Sequence, residues 1–403
     1  MGEKPLDFLL SCKLEKMKIT EEVLHTLRGE KTSVYPAAPK KTGRAALLFS
    51  VALCVILPIL LYLPSLRAPF FFDDLTYIVE NPAIRSTDNL RKMFSESYDA
   101  HSWHKIVISR PLTYLTFVAN YNAGQLDPAG YRIVNMILHA LVAVLVLFLT
   151  IEIKFLAYKK SNILPALAVA LIFAVHPINT EVVTFAAHRS DSMSALFFLG
   201  SCLLFIRSYR GSVIAHIFSV LCFALAVLSK ESAAILPAVL ILLDALFLTG
   251  ADSNTDWRAA VKKRIVWHLP FWAMFAAVLV YRYARFGGMG DVGTQTSLRW
   301  GHLTYFTTQI VVVAQYLRLL IMPVGQSIDH FVEPRMALFT REIFLSLAAL
   351  SAMPVLFAYA YRNNPETRRL LIFAVGWFAL VLAPTSSFMP LNDAMAERRI
   401  YLA

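Results

Sequence analysis

The residues AALLFSVALCVILPILLYLP, 45–64, contain no charged side chain, and five residues later the chain reads FFFDDLTYIVENPAI, 70–84. An uncharged apolar run of about 20 residues is what an α-helix needs to cross the hydrocarbon core of a bilayer. Comparable runs recur at roughly 132–153, 162–177, 191–206, 212–229, 232–249, 265–284, 303–322, 342–361 and 369–385. Such runs are read as helices, because a helix satisfies its own backbone inside lipid. The fold class is therefore all-α, a polytopic membrane protein with about 9–11 transmembrane helices.

Composition agrees with this reading. The 403 residues are 57% hydrophobic and 16% charged, with a mean hydropathy of +0.57, too apolar for a soluble domain. The apolar runs follow one another from residue 45 almost to the end, so 45–403 reads as one transmembrane domain. Residues 1–44 carry nine Lys and Arg ahead of the first run and read as a cytoplasmic N-terminal arm, not a cleavable signal. The net charge of +11 sits in short segments between runs, where orientation signals belong, and so argues against a nucleic-acid partner. Cys12, Cys54, Cys202 and Cys222 form no CxxC pair and have no metal-ligand spacing.

Those short basic segments orient the bundle. With the arm inside, Lys154, Lys159 and Lys160, then Arg207 and Arg210, then Arg258, Lys262, Lys263 and Arg264 fall on the cytoplasmic side. The loop 65–131, the segment 178–190, the turn SKES at 229–232 and the stretch 285–302 face out. The run 303–322 holds Thr307, Thr308, Gln309, Gln315 and Arg318, which a lipid-facing span rarely carries. Read as re-entrant or interfacial, it leaves Arg362, Arg368 and Arg369 inside; read as a span, it puts them outside. The positive-inside tendency favours the first. In the first outer loop, STDNLRKMF at 86–94 predicts a short interfacial helix capped by Ser86 or Thr87 with Leu90, Met93 and Phe94 on one side, and RPLTYLTFVANYNAG at 110–124 predicts a second. The glycine-rich GGMGDVG at 287–293 follows an apolar span, not a strand, and is no phosphate loop.

Four places could carry chemistry. Asp73 and Asp74 adjoin an aromatic patch, and mutual repulsion there should raise one carboxyl toward the range of a general base; the alternative is a solvated Asx turn. The segment HPINTEVVTFAAHRSD, 176–191, packs His176, Glu181, His188, Arg189 and Asp191 between two short spans, which suits a polar cavity, although His176 and Glu181 could simply cap helix ends. Lys230 and Glu231 sit in a four-residue turn, where Lys230 can meet a phosphate or merely pair with its neighbour. In AERRIYL, 396–402, Arg398 and Arg399 can clamp a phosphate or simply flank the membrane.

Taken in order, these features resemble a known family. An inside-start span, an outer loop opening on paired acids, RPL before a Tyr- and Asn-rich helix, HPxxTExVxxxxxRxD, a KE turn and ERRIYL together resemble the GT-C glycosyltransferases. The likeness is to the membrane half of the transmembrane and tetratricopeptide-repeat protein O-mannosyltransferases and their bacterial relatives, over about residues 45–403. The resemblance implies a GT-C-like helical bundle that moves a hexose, mannose above all, from a polyprenyl or dolichyl phosphate to an acceptor hydroxyl of a protein or glycan, with inversion, at the non-cytoplasmic face. It implies the endoplasmic reticulum membrane in a eukaryote and the cytoplasmic membrane in a bacterium. By that likeness Asp73 is the base, Asp74 stands where many relatives have Glu, and Asp191 with Arg189 matches a second acidic motif. Lys230, Arg398 and Arg399 would contact the lipid phosphate, with His176, Glu181 and Glu231 among the substrate-binding residues. No metal or other cofactor is required by this reading, although some branches use a divalent cation. No tetratricopeptide repeats follow and the chain stops just after the YL, so the expectation is either a fragment lacking further spans or repeats, or a short variant without acceptor-recognition repeats. The rival from another class is a transporter using buried acids, which predicts ionisable groups at mid-membrane and symmetry between halves.

Overall fold

A computed structural model describes residues 43–95, 102–159, 162–249, 257–286, 301–336, 340–387, 390–391 and 393–403. The arm at 1–42, the GGMGDVG stretch and Lys160 lie outside the described residues, as does the side chain of Lys262. Among the described residues there is no strand. The helices are α1 (Arg44–Tyr62), α2 (Thr87–Ser95), α3 (Ser102–Ser109), α4 (Pro111–Gly124), α5 (Pro128–Tyr158), α6 (Leu164–Val175), α7 (Thr180–Thr184), α8 (Arg189–Ser208), α9 (Val213–Ser229), α10 (Leu236–Leu243), α11 (Trp257–Phe286), α12 (His302–Ile321), α13 (Arg341–Ala360) and α14 (Pro365–Leu382).

Local chemistry sets where they begin and end. Asp127 accepts from the Ala129 N–H with Pro128 opening α5, and Asn364 accepts from Thr367 with Pro365 opening α14. Ser212 and Thr340 cap α9 and α13 in the same way. α5 ends where Lys159 turns left-handed at φ 56°. After α6 the chain bends by 48° at His176–Pro177, because the residue before proline is driven to an extended conformation. The Asn179 amide then donates to the Phe173 carbonyl at 2.7 Å, satisfying an acceptor that the break exposes.

All ten runs seen in the sequence are helical. Six elements are long and apolar enough to cross a bilayer by themselves: Arg44–Arg67, Pro128–Tyr158, Ala186–Ser208, Glu231–Leu248, Arg264–Phe286 and Arg341–Ala360. The bent pair Leu164–Val175 and Pro177–Thr184 makes a seventh if counted as one span. The expectation of nine to eleven is higher, and the difference lies in α9, α12 and α14. α9 is apolar but has only 17 residues, and α14 carries Glu366, Arg368 and Arg369 at its start.

α8 forms the centre, with Phe198, Cys202, Phe205 and Ile206 fully buried against α5, α9 and α10. Gly376 lets α14 approach α10 closely, since a Cβ there would meet Leu242 at 2.7 Å. The outer faces of α1, α11 and α13 expose Leu48, Phe49, Leu269, Val280, Val355 and Leu356, the apolar surface that lipid covers. The first loop has its own core, where Ile84, Leu90, Met93, Val107 and Phe117 pack together. Ser86 caps α2 by accepting from Asn89, but of the three apolar residues expected on one face only Phe94 is exposed; Leu90 and Met93 are buried in that core.

Contacts distinguish the two ends of the bundle. α5 starts beside the first loop and finishes at Tyr158, whose hydroxyl meets Thr367 Oγ1 at 2.7 Å, so α14 begins at the far end. α12 stays at the loop end over its whole length. Tyr305 donates to the Thr385 carbonyl, Gln309 to Ala394 and Tyr316 to Ala396, and the Leu320 carbonyl meets His176 at the break after α6. The chain thus runs down α13 and back up α14, with Arg362, Arg368 and Arg369 at the same end as Tyr158.

Candidate functional site

The acidic pair is split by backbone geometry. Phe72 sits at φ 56°, a left-handed conformation costly for a bulky side chain and the kind of strain that clusters at functional sites. Phe71 anchors the turn on Phe185, ring centroids 4.9 Å apart. From this turn Asp73 lines a cavity of about 760 Å³, whereas Asp74 is fully buried in its wall and accepts the Ala187 N–H at 2.8 Å. Burial pushes the Asp74 carboxyl above its ordinary value, more than that hydrogen bond and the nearby His188 and Arg132 charges offset. Burial also acts on Asp73, but the His188 hydrogen bond and the charges of His188, Arg398 and Arg110 together hold it below the ordinary value. One carboxyl of the pair is raised, through burial, and it is the one that does not face the cavity.

The cavity lies between the first loop, the start of α8, the α9–α10 turn, the end of α11, the end of α14 and the C-terminal segment. Seven of the eleven residues singled out from sequence line it: Asp73, His188, Asp191, Lys230, Glu231, Arg398 and Arg399. Most of its cations are already paired. Lys230 Nζ contacts Asp191 Oδ1, and Arg398 donates to Glu181 from Nη1 at 2.7 Å and from its backbone N–H at 2.8 Å. Arg398 also reaches Asp393 at 3.1 Å. The Glu181 and Asp73 carboxylates push the Arg398 guanidinium up against the opposing effect of burial, so it keeps its charge. Arg399 differs, donating to the carbonyls of Ala394 and Asp393, with no carboxylate partner among the described residues.

The other four sit behind the lining. Glu181 is buried and supports Arg398 and His188. Arg189 is fully buried, donating to Asn135, Thr116 and the Tyr131 carbonyl at 3.0 Å each and lying over the Phe117 ring, so it joins loop to bundle and does not reach the cavity. His176 bonds the Leu320 carbonyl and accepts from Ile178, which makes it a cap at the helix break. Asp74 belongs to the wall.

Arg110, the first residue of the RPL motif, is a site charge that no local spacing singles out. Arg110 forms a two-bond pair with Glu231, Nε to Oε2 at 3.0 Å and Nη2 to Oε1 at 2.9 Å. The Lys230–Glu231 alternative of an internal pair is therefore not what forms; each takes a distant partner. Tyr114 lines the same wall, and α11 adds Phe275, Val278 and Leu279, an apolar side to an otherwise charged chamber. Among the described residues no three His, Cys, Asp or Glu gather as a metal-binding group. What the arrangement offers is the Asp73 carboxylate, hydrogen-bonded through Oδ2 alone among the described residues, in one chamber with a set of cations and an apolar wall.

No family model matches the chain, and no solved structure does. Curated proteins do. The chain is 38% identical over 152 residues to Protein O-mannosyl-transferase TMTC3 of Homo sapiens, covering 36% of this chain and 16% of that protein. It is 29% identical over 224 residues to Protein O-mannosyl-transferase F38B6.6 of Caenorhabditis elegans, covering 54% and 31%, and 34% identical over 161 residues to TMTC4 of Homo sapiens, covering 37% and 22%. The match thus spans less than a third of each of these relatives. Over that region the chain resembles the transmembrane and tetratricopeptide-repeat O-mannosyltransferases; none of the three is bacterial.

Proposed function

We propose that this chain is an inverting glycosyltransferase of GT-C type that moves a mannosyl group from a dolichyl or other polyprenyl phosphate to a Ser or Thr hydroxyl of a protein. The reaction takes place at the non-cytoplasmic face, in the endoplasmic reticulum membrane of a eukaryote. The observation that carries the reading is the convergence in one cavity of Asp73, one carboxylate oxygen unbonded, with Lys230, Arg398 and Arg399. The similarity to proteins named O-mannosyl-transferases supports mannose and a protein acceptor, and does not favour a transporter.

The chemistry follows from these groups. Asp73 removes the acceptor proton as the hydroxyl oxygen bonds to the anomeric carbon from the face opposite the phosphate. The anomeric C–O bond breaks, the phosphate leaves with the electron pair, and the cations stabilise the charge it gains. Arg399, unencumbered by a carboxylate, is the first cation an incoming phosphate meets. The apolar wall of α11 continues toward the exposed Leu269 and Val280 of that helix, and this suits an isoprenoid tail entering from lipid. No step requires a metal.

Asp73→Asn tests the assignment, because Asn keeps the size of Asp and cannot take the proton. With dolichyl phosphate mannose and an acceptor peptide, transfer should fall about 10²- to 10⁴-fold while donor binding persists. Undiminished transfer by a folded variant would mean that another group is the base.

A further inference from the structure

His188 has a carboxylate on each ring nitrogen. Nε2 lies 3.1 Å from Asp73 Oδ2, and Nδ1, which makes no hydrogen bond, lies at an ion-pair distance of 3.4 Å from Glu181 Oε1. The same Glu181 oxygen accepts from Arg398 Nη1 at 2.7 Å. The ring is buried and stacks on Phe185, centroids 5.4 Å apart and planes 26° apart, so it cannot swing away without losing that packing. Four side chains from four parts of the chain therefore form one line: Asp73 from the first loop, His188 from the turn before α8, Glu181 from α7, and Arg398 from the C-terminal turn.

Resting on the assignment of Asp73 as base, we propose that His188 is a positioning residue, whose Nε2–H holds one oxygen of Asp73 so that the other faces the acceptor hydroxyl, and whose second nitrogen ties the base through Glu181 to Arg398 on the donor side. His188 is the sole hydrogen-bond partner of the Asp73 carboxylate among the described residues, and it takes Oδ2; Oδ1 is left to the cavity. A carboxylate with one oxygen fixed presents its other lone pairs in a set direction, and such orientation is a large part of what a catalytic base needs. In the transfer step the acceptor O–H bond breaks, its proton goes to Asp73 Oδ1, and the His188 N–H bond stays intact. The imidazole moves no proton itself.

The line also governs ionisation. The charged groups facing His188 are Asp73, Asp74 and Glu181, and those acting on Asp73 besides His188 are Arg398 and Arg110. Removing His188 leaves burial, the largest influence on Asp73, with less opposing it, so the carboxyl rises. The base would then be protonated at a higher pH.

The test compares His188→Ala and His188→Gln with the parent chain in liposomes, using dolichyl phosphate mannose and an acceptor peptide. His188→Ala should lower kcat about 10- to 100-fold, the weight of one hydrogen bond to a charged group. Donor KM should change less than about twofold, since no phosphate contact is lost. The acid limb of the rate should move to higher pH, because the His188 hydrogen bond and charge no longer oppose burial at Asp73. His188→Gln, whose amide can still donate to Asp73, should recover part of kcat. Parent-like kcat and acid limb in His188→Ala would overturn the proposal. So would kcat and donor binding collapsing together with Gln no better than Ala, the mark of a merely structural ring. Asp73→Asn separates the two readings: if that variant is fully active the base assignment fails, whereas if it is inactive and His188→Ala is parent-like only the positioning role fails.

Discussion

Adjacent residues with the same side chain meet opposite fates at Asp73 and Asp74. Asp74 has its carboxyl raised by burial above the value of 3.8 that a free Asp shows. A raised folded value means that the folded chain favours the protonated form. Stability from this group is complete below about pH 4 and is lost as pH climbs through the raised value. Asp74→Asn mimics the protonated form and still accepts from Ala187, so near neutral pH it should unfold at the parent temperature or above. That advantage should shrink as pH falls toward about 4. Asp74→Ala leaves the Ala187 N–H unsatisfied and should cost about 1–3 kcal/mol near pH 4, and less near neutral pH, where it also removes a buried charge. Thermal unfolding in detergent at the two pH values checks both, and a parent whose stability is flat between them would contradict the sign. The two arginines of ERRIYL divide similarly. Arg399→Ala should raise donor KM about tenfold with little change in kcat, because it removes a phosphate contact and leaves no acid unpaired. Arg398→Ala also strips Glu181 of its partner, so its loss cannot be read as donor binding alone; steady-state kinetics of the two variants would separate the cases.

At the level of elements, the ten helical runs were legible because lipid demands a long apolar run wherever a helix crosses. The folding of the charged segment 176–191 was not. It is broken into the turn Pro177–Asn179, the short α7 and the turn Ala186–His188, and no single period decides which side chain faces the cavity. That is why Glu181 and Arg189 read as site residues and prove to be supports. Arg110 is illegible in the sequence for another reason: its partner Glu231 lies 121 positions away, and no local spacing announces such a pair. The pair fastens α4 to the α9–α10 turn, assisted by Thr113 donating to the Ser229 carbonyl at 3.0 Å. Glu231→Leu alone should destabilise the chain by about 1–3 kcal/mol by leaving Arg110 charged and unpaired. Adding Arg110→Met should return most of that loss, since an apolar pair of similar volume removes the orphan charge. Thermal unfolding of the single and double variants measures the coupling, and additive losses would show that the two residues do not act as a pair.

For the whole molecule, the question the sequence left open is whether 303–322 crosses the membrane, and its polar residues answer it. Thr307, Thr308 and Gln309 are buried against Arg335 and Ala394 at the loop end, with Thr308 accepting the Arg335 N–H and Gln309 reaching the Ala394 carbonyl, so they bind protein where a span would meet lipid. A helix whose start touches Thr385 and whose end touches His176 has both ends on one side of the bundle. With α12 lying across that side, α13 runs to the far end and α14 returns, and the cavity residues Asp73, Asp191 and Lys230 share the face opposite Tyr158 and Thr367. Single cysteines can test this after the native ones are replaced by Ser, Cys54 and Cys202 being buried in any case. Cysteines in place of the exposed Arg207 and Asn363 should react with an impermeant maleimide from the cytoplasmic side of microsomes. Cysteines in place of Asn122 and Gln326, also exposed, should react only once the vesicles are opened. If position 363 instead labels together with 122, then α12 crosses, the connection before α14 lies beside the cavity, and the contact between Tyr158 and Thr367 that orders the bundle cannot form.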